Sequence, residues 1–224
     1  GMDSQLKGGI RYFDFRVSIE EAADDNREYY PGGFYLVHSM RGAKLQDALN
    51  SVRDFCREHP REIVLIDVNH MYFRDHNGAM PESVLLDFDA MVSDTLVYED
   101  GTSMLVDPAV QMNVSVGQIW ELGKQVLMFV SDTRLCKAFP QKYWHSGDIR
   151  TVWEETDSLS KLRSFLEKEI THCDFGFHVC QAIRTETETD IINGALTWFY
   201  KDALHGHTTT QRIVKHFVDK YGYS

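Results

Sequence analysis

The sequence Gly9-Ile-Arg-Tyr-Phe-Asp-Phe-Arg-Val17 sets the pattern that the rest of the chain follows. It is a short run of β-branched, aromatic and aliphatic residues behind a glycine pair, which is typical of a buried strand. Because side chains alternate between the two faces of a strand, Tyr12, Asp14 and Arg16 share one face. That face therefore presents a carboxylate and, beyond it, a guanidinium suited to binding a phosphate.

A second strand, Phe34-Tyr-Leu-Val-His38, ends in a histidine. The polar, acidic residues 18–33 between the two strands finish in Pro31-Gly-Gly33, and this composition predicts a loop that overhangs a site. A strand-end histidine beside Asp14 and Arg16 would form a site that holds a phosphate and moves a proton.

The rest of the chain alternates between helical and strand-like patterns. Predicted helices cover residues 43–56, 81–96, 159–170, 190–204 and 208–221, with a short one between Ser115 and Gly123; predicted strands cover 62–68, 125–130 and 177–182. Residues 131–157 show no regular pattern. Strand 34–38, helix 43–56 and strand 62–68 form a predicted βαβ unit, and the whole pattern predicts a parallel α/β sheet in one domain over residues 1–224. Periodicity alone does not separate a closed barrel from an open doubly wound sheet.

The composition limits the classes of function. The 224 residues, 43% of them hydrophobic, are enough for a sizeable core. Four cysteines without a CxxC pair predict reduced thiols in a cytoplasmic protein. A net charge of −11 argues against nucleic acid as a partner and against broad attraction to anionic membranes, because the field of the protein repels both.

Three segments of the chain carry a resemblance to a known family. The strand Gly9–Val17, the Tyr-Leu-Val-His strand and Glu62-Ile-Val-Leu-Ile-Asp-Val-Asn-His70 together resemble the phosphatidylinositol-specific phospholipase C X-domain family, in particular its small X-domain-only members. Residues 119–129, Trp153 and residues 177–182 fit the same pattern, so the resemblance runs along nearly the whole chain. It implies a TIM-like (β/α) barrel and cleavage of a phosphodiester by internal attack of an inositol hydroxyl.

The resemblance also implies roles for three residues. By motif position, His38 matches the general-acid histidine, Arg16 a phosphate clamp, and Asp14 a residue that pairs with Arg16 or orients a histidine. Arg16 stands where the calcium-dependent members have a carboxylate ligand, and a guanidinium repels a cation from that place. We therefore expect a metal-independent site without a cofactor. The plainer alternatives are a structural His38 and a structural Asp14–Arg16 ion pair.

Three further residues are candidates for binding the substrate. Asn69 stands where relatives carry a lysine or an acidic metal ligand, and His70 follows it. His70 is equally consistent with a loop histidine. Gln181, on the predicted strand 177–182, faces either the site or a helix. The other histidines lack metal-ligand spacing, and His205 and His207 are most simply a turn at a helix end.

Two parts of the family pattern have no counterpart in this sequence. In the family, the general-base histidine ends a first barrel strand, and an acidic residue that orients it ends the last strand. We therefore expect an incomplete barrel, weak or inactive as the chain stands. Its open strand edges would be able to pair in a homo-oligomer.

Three functions are consistent with these residues. The first is metal-independent cleavage of a phosphoinositide at a membrane surface, which the protein would engage peripherally through a local patch. The second is a catalytically inactive barrel that binds an inositol phosphate or a protein partner. The third is a glycerophosphodiester phosphodiesterase, which needs a metal held by a Glu-x-Asp pair where this chain has Asp14-Phe15-Arg16.

Overall fold

Two compact units, Gly1–Asp148 and Ile149–Ser224, follow one another in the computed structural model. The structure describes residues 1–21, 29–38, 40–73, 79–171, 176–183, 185, 215 and 219–220. The helices predicted over 190–204 and 208–221 lie outside the described residues, apart from three helical positions in the second of them. The single domain predicted over 1–224 stays a prediction.

The first unit combines strands and helices in the order that the sequence predicts for an α/β protein. Its elements are α1 (Met2–Lys7), β1 (Tyr12–Glu21), β2 (Tyr29–His38), β3 (Met40–Lys44), α2 (Leu45–Glu58), β4 (Val64–Tyr72), α3 (Glu82–Thr95), α4 (Val116–Glu121), β5 (Val126–Val130), α5 (Thr133–Ala138) and β6 (Tyr143–His145). The unit ends in a 3₁₀ turn, Ser146–Asp148. The predicted helices and strands of this unit between residues 43 and 130 are confirmed to within a few residues.

A six-stranded sheet in the order β3-β2-β1-β4-β5-β6 forms the centre of this unit. Strands β1, β4, β5 and β6 run parallel, whereas β2 runs antiparallel to both β1 and β3. The predicted α/β class with a mostly parallel sheet is confirmed. Within the described residues the sheet is not closed, because β3 and β6 lie at its two edges.

The predicted loop over residues 18–33 is wrong at its two ends, because β1 extends to Glu21 and β2 begins at Tyr29. The ladder between the two strands pairs Ile19 with Phe34 and Glu21 with Tyr29. The Pro-Gly-Gly sequence at 31–33 lies inside β2, outside the part of β2 that pairs with β3. Proline is tolerated in a strand where one side needs no backbone donor.

The predicted βαβ unit is also wrong in its first strand. β2 is antiparallel to β1, and the parallel neighbour of β4 is β1. The connection between the two parallel strands therefore contains β2, β3 and α2. Hydrophobic spacing identified the strands and the helix, but spacing carries no information about strand direction.

Residues 131–157, predicted to be irregular, contain three short regular elements. α5 begins after Asp132, whose carboxylate accepts a hydrogen bond from the backbone N–H of Arg134. β6 and, in the second unit, β7 (Ile149–Trp153) follow. Elements of three to six residues are too short to show a period. Trp144 is buried in the first unit, whereas Trp153 is exposed.

The two faces of the large sheet differ in character. One face packs against α2 and α3 through Phe13, Phe15 and Val17 of β1 and through the alternate apolar residues of β4. Tyr12, Asp14 and Arg16 alternate with these residues and therefore project from the opposite face. The hydrophobic core thus fixes which face is left for polar side chains.

The second unit is described over a smaller part of its length. β7 pairs in parallel with β8 (Phe177–Gln181), and the helix α6 (Leu159–Thr171) lies between them in sequence. Leu162 and Leu166 of α6 pack with Cys180 and Ala182. Both predicted elements, 159–170 and 177–182, are confirmed.

Candidate active site

Strands β1 and β4 bring the predicted site residues side by side. Their parallel register pairs Asp14 with Asp67 and Arg16 with His70. Between these two pairs β4 contains one extra residue, Asn69, so the ladder has a β-bulge. In a regular strand His70 would project toward the core, but the bulge turns it to the side of Arg16. β4 therefore presents Asn69 and His70 in succession beside β1.

A chain of hydrogen bonds connects Asp14 to His70 through Asn69. The Asn69 side-chain Nδ2 donates to Asp14 Oδ1 over 2.6 Å, and Asn69 Oδ1 lies 2.7 Å from His70 Nδ1. A carboxylate only accepts, so the amide nitrogen must face Asp14 and the amide oxygen must face the histidine. His70 Nδ1 then carries the proton that it donates, which leaves Nε2 without a hydrogen in the neutral ring. The ring stacks on Tyr72 with 5.5 Å between centroids.

Asp67, a buried carboxyl group of β4, pairs with Asp14 across the β1–β4 ladder. Its side chain accepts hydrogen bonds from the Tyr12 hydroxyl, over 3.1 Å, and from the Ser146 hydroxyl, over 2.7 Å. Burial raises the pKa of Asp67 above its usual value, the nearby Asp14 carboxylate raises it further, and the two hydrogen bonds act in the opposite direction. Asp67 is not among the site residues predicted from the sequence. A lone carboxylate inside the apolar run 63–68 was the signal that could have identified it.

Arg16 lies half-buried opposite His70 and is not joined to Asp14 by an ion pair. The Asp14 carboxylate contacts Asn69 instead. The alternative of a structural ion pair between Asp14 and Arg16, both among the described residues, is therefore wrong. The Asn69 amide thus connects Asp14 to His70, and the orienting role of Asp14 stays a prediction.

His38 is not part of this hydrogen-bonded group. It is the exposed last residue of β2 and pairs with Met40 across the β2–β3 hairpin. β2 is antiparallel to β1, so the two strands do not end at the same edge of the sheet.

Gln181 ends β8 in the second unit, where it is half-buried and pairs with Trp153. Its predicted contact with substrate stays a prediction. His70 lies in β4, so the alternative of a loop histidine is wrong.

The described part of the chain contains neither a group of metal ligands nor a membrane-spanning helix. Its His, Cys, Asp and Glu side chains include no group of three or more that could hold a metal ion. No helix in the same part combines the length and the apolar character needed to cross a membrane.

Comparison with known proteins gives relatives along most of the chain. It is 31% identical over 208 residues to PI-PLC X domain-containing protein 2 of Mus musculus, covering 90% of this chain and 54% of that protein. The human protein 2 is 29% identical over 210 residues, which are 91% of this chain and 61% of that protein. The chain is a relative of the PI-PLC X domain-containing proteins. It spans only about half to three fifths of their length. No protein-family model matches it.

A solved structure supports the same relationship at the level of fold. A mutant of the phosphatidylinositol-specific phospholipase C from Staphylococcus aureus superposes with a TM-score of 0.52 and 13% identity. The match covers 89% of this chain and 71% of that one. This PI-PLC X-domain relative thus has the predicted TIM-like α/β fold, with a sheet that is not closed in its described part.

Proposed function

We propose that this chain forms a site that cleaves the phosphodiester of an inositol phospholipid without a metal ion. The observation that supports the proposal best is the Asp14–Asn69–His70 hydrogen-bond chain, with Arg16 opposite His70 on the same side of the sheet. A guanidinium and an oriented imidazole are the two kinds of group that a phosphodiester cleavage needs, one for the phosphoryl charge and one for a proton. Asp14 supplies the orientation of the second group.

The proposed reaction transfers the phosphoryl group within the substrate. An inositol hydroxyl attacks phosphorus and loses its proton, the bond from phosphorus to the glycerol oxygen breaks, and that oxygen gains a proton. Arg16 binds the phosphoryl oxygens, and His38 is the general acid that protonates the leaving oxygen. Asn69 and His70 contact the inositol headgroup, and Gln181 stays a predicted substrate-binding residue of the second unit.

The proposed substrate determines the cellular surface at which the protein acts. A phosphoinositide or its headgroup is the ligand, so the protein acts at a membrane surface that it contacts peripherally, on the cytoplasmic side. β3, whose five residues are all exposed, is the sheet edge proposed to pair with a second copy.

Turnover of phosphatidylinositol in mixed micelles with EDTA tests this proposal. We expect release of diacylglycerol and a cyclic inositol phosphate. Arg16→Ala should lower kcat/KM by about 100-fold or more, because a preorganised donor to the developing charge is lost. His38→Ala should do the same. Arg61→Ala, at an exposed arginine between α2 and β4, is the matched control and should retain the wild-type rate.

Two results would contradict the proposal in different ways. Turnover retained in both Arg16→Ala and His38→Ala would remove the assigned roles. Absence of any turnover, together with saturable binding of inositol phosphate, would favour the alternative of a binding domain without catalysis.

A further inference from the structure

We infer that His70 is the group that takes the proton from the attacking hydroxyl, held for this task by Asp14 through the Asn69 amide. The inference rests on the proposed function and deepens it, since it adds a base to the acid His38. It arises from a juxtaposition that the sequence did not predict, namely two successive side chains of β4 on one side of the sheet.

The hydrogen-bond chain meets the first requirement for a base, which is a fixed tautomer. Asn69 Oδ1, 2.7 Å from His70 Nδ1, can accept but not donate. The proton therefore stays on Nδ1 and the lone pair stays on Nε2. In catalytic groups that combine a carboxylate with a histidine, the carboxylate fixes the imidazole in the same way. Here an amide is inserted between the two.

The second requirement is stabilisation of the positive charge that forms when Nε2 takes a proton. Asp14 lies at the far end of the chain, 2.6 Å from the Asn69 amide nitrogen. Its negative charge polarises the amide, which then accepts more strongly from the imidazolium. Stacking on Tyr72 restricts the ring to this orientation.

The third requirement is proximity to the reacting phosphate. Arg16 and His70 are direct neighbours across the β1–β4 ladder, and neighbouring strands are about 4.8 Å apart. A phosphate bound by Arg16 would thus place an attacking hydroxyl within reach of His70. The exposure of His70 leaves its Nε2 side open to a ligand.

The step balances without a further reagent. The O–H bond of the inositol hydroxyl breaks and its proton moves to His70 Nε2, while the oxygen forms its bond to phosphorus. The bond to the leaving oxygen breaks with its electron pair, and His38 supplies a proton there. The two histidines exchange these protons with water after the product leaves.

Substrates with two different leaving groups separate the base from the acid. One is phosphatidylinositol, and the other is a p-nitrophenyl ester of inositol phosphate, whose phenolate departs without a proton. His70→Ala and His70→Gln should lower kcat about 100-fold on both substrates, because the attacking hydroxyl needs a base in each case. His38→Ala should lose a similar factor only on phosphatidylinositol. His59→Ala, at the exposed histidine that follows α2, before the start of β4, should change neither rate.

A second measurement is independent of turnover. Long-range ¹H–¹⁵N spectra should show neutral His70 protonated at Nδ1, and Asn69→Leu should remove this preference while leaving the fold intact. The same variant should lower kcat with little change in KM, which a purely structural residue would not do.

The outcomes distinguish this inference from the proposed function. If the wild-type chain cleaves neither substrate, the proposed function fails and the inference with it. If the wild type cleaves while His70→Gln retains its rate, or if the nitrophenyl ester restores the rate of His70→Gln, the inference alone is overturned.

Discussion

Asp67 shows how one buried group links the stability of this chain to pH. Burial raises its pKa, so between the usual aspartate value and the raised value the folded state keeps a proton that the unfolded state has released. Stability therefore falls as the pH rises through that window. Above it, the folded state holds a carboxylate that has been taken out of water.

Asp67→Asn should accordingly stabilise the protein at pH 7. One of the two hydroxyls, of Tyr12 or Ser146, can go on donating to the amide oxygen while the other rotates to accept from the amide nitrogen, so both hydrogen bonds survive. Urea midpoints at pH 7 and pH 4 provide the measurement, and the gain should shrink as the pH falls. Asp94→Asn, at an exposed aspartate of α3, is the control. A lower midpoint for Asp67→Asn at pH 7 would mean that the carboxylate stabilises the fold.

The site residues differ in how far the sequence could predict them. Asp14 and Arg16 share a face because strand alternation is local, and this prediction requires no knowledge of neighbours. The joint orientation of Asn69 and His70 depends on an extra residue in the ladder with β1, which only the partner strand defines. Asp67 was visible as a charge in an apolar run but was given no role.

The same division between local and distant information applies to helices and strands. Ser115 and Gln118 form a capping box at α4, with the Gln118 N–H donating to Ser115 Oγ over 3.2 Å. The sequence predicts this short helix from Ser115 at its start and Gly123 at its end. The direction of β2 was not predictable in this way. It depends on the pairing of Ile19 with Phe34, which lie on opposite sides of the hairpin.

Helix α3 is joined to the segment that leads into β6 by a buried ion pair. Both oxygens of Asp89 accept from Lys142 Nζ over 2.9 Å, and one of them accepts from the Tyr143 hydroxyl over 2.8 Å. Asp89→Ala leaves a half-buried ammonium and a buried hydroxyl without these acceptors. We expect a loss of about 3 kcal/mol of unfolding free energy.

Chemical denaturation measures this loss as a lower urea midpoint with an unchanged slope. Asp94→Ala, one turn further along the same helix, removes an exposed carboxylate and should change the free energy by less than about 0.5 kcal/mol. Equal midpoints for Asp89→Ala and the wild type would show that the ion pair only compensates its own desolvation.

The fold class of the whole chain was accessible from the sequence because alternating strands and helices have few stable arrangements. Closure of the sheet was not accessible. It depends on the register between strands that are far apart in sequence, and no local pattern contains that register. The resemblance to the phosphatidylinositol-specific phospholipase C X-domain family supplied the barrel where periodicity left two alternatives.

The net charge of −11 makes a prediction for the molecule as a whole. Its field repels an anionic bilayer, and salt screens that repulsion over a Debye length of about 10 Å at 0.1 M. Binding to phosphatidylserine vesicles should therefore strengthen, or stay unchanged, as the salt concentration rises. Cosedimentation at 0.02 M and 0.2 M salt, with neutral phosphatidylcholine vesicles as the control, gives the comparison. Stronger binding at low salt would reveal a basic patch that outweighs the net charge.

The bulge at Asn69 has a consequence for how such a site is gained or lost. The ladder pairs Phe15 with Val68 and Arg16 with His70, so excision of Asn69 would leave a regular strand with every later pair unchanged. Asn69 is thus an inserted unit that leaves its neighbours in register. Insertion of one codon would therefore convert a strand that only exposes His70 into a strand that also orients it, and deletion would do the reverse. An ancestral protein could have made this change in a single mutational event while keeping the fold of the sheet.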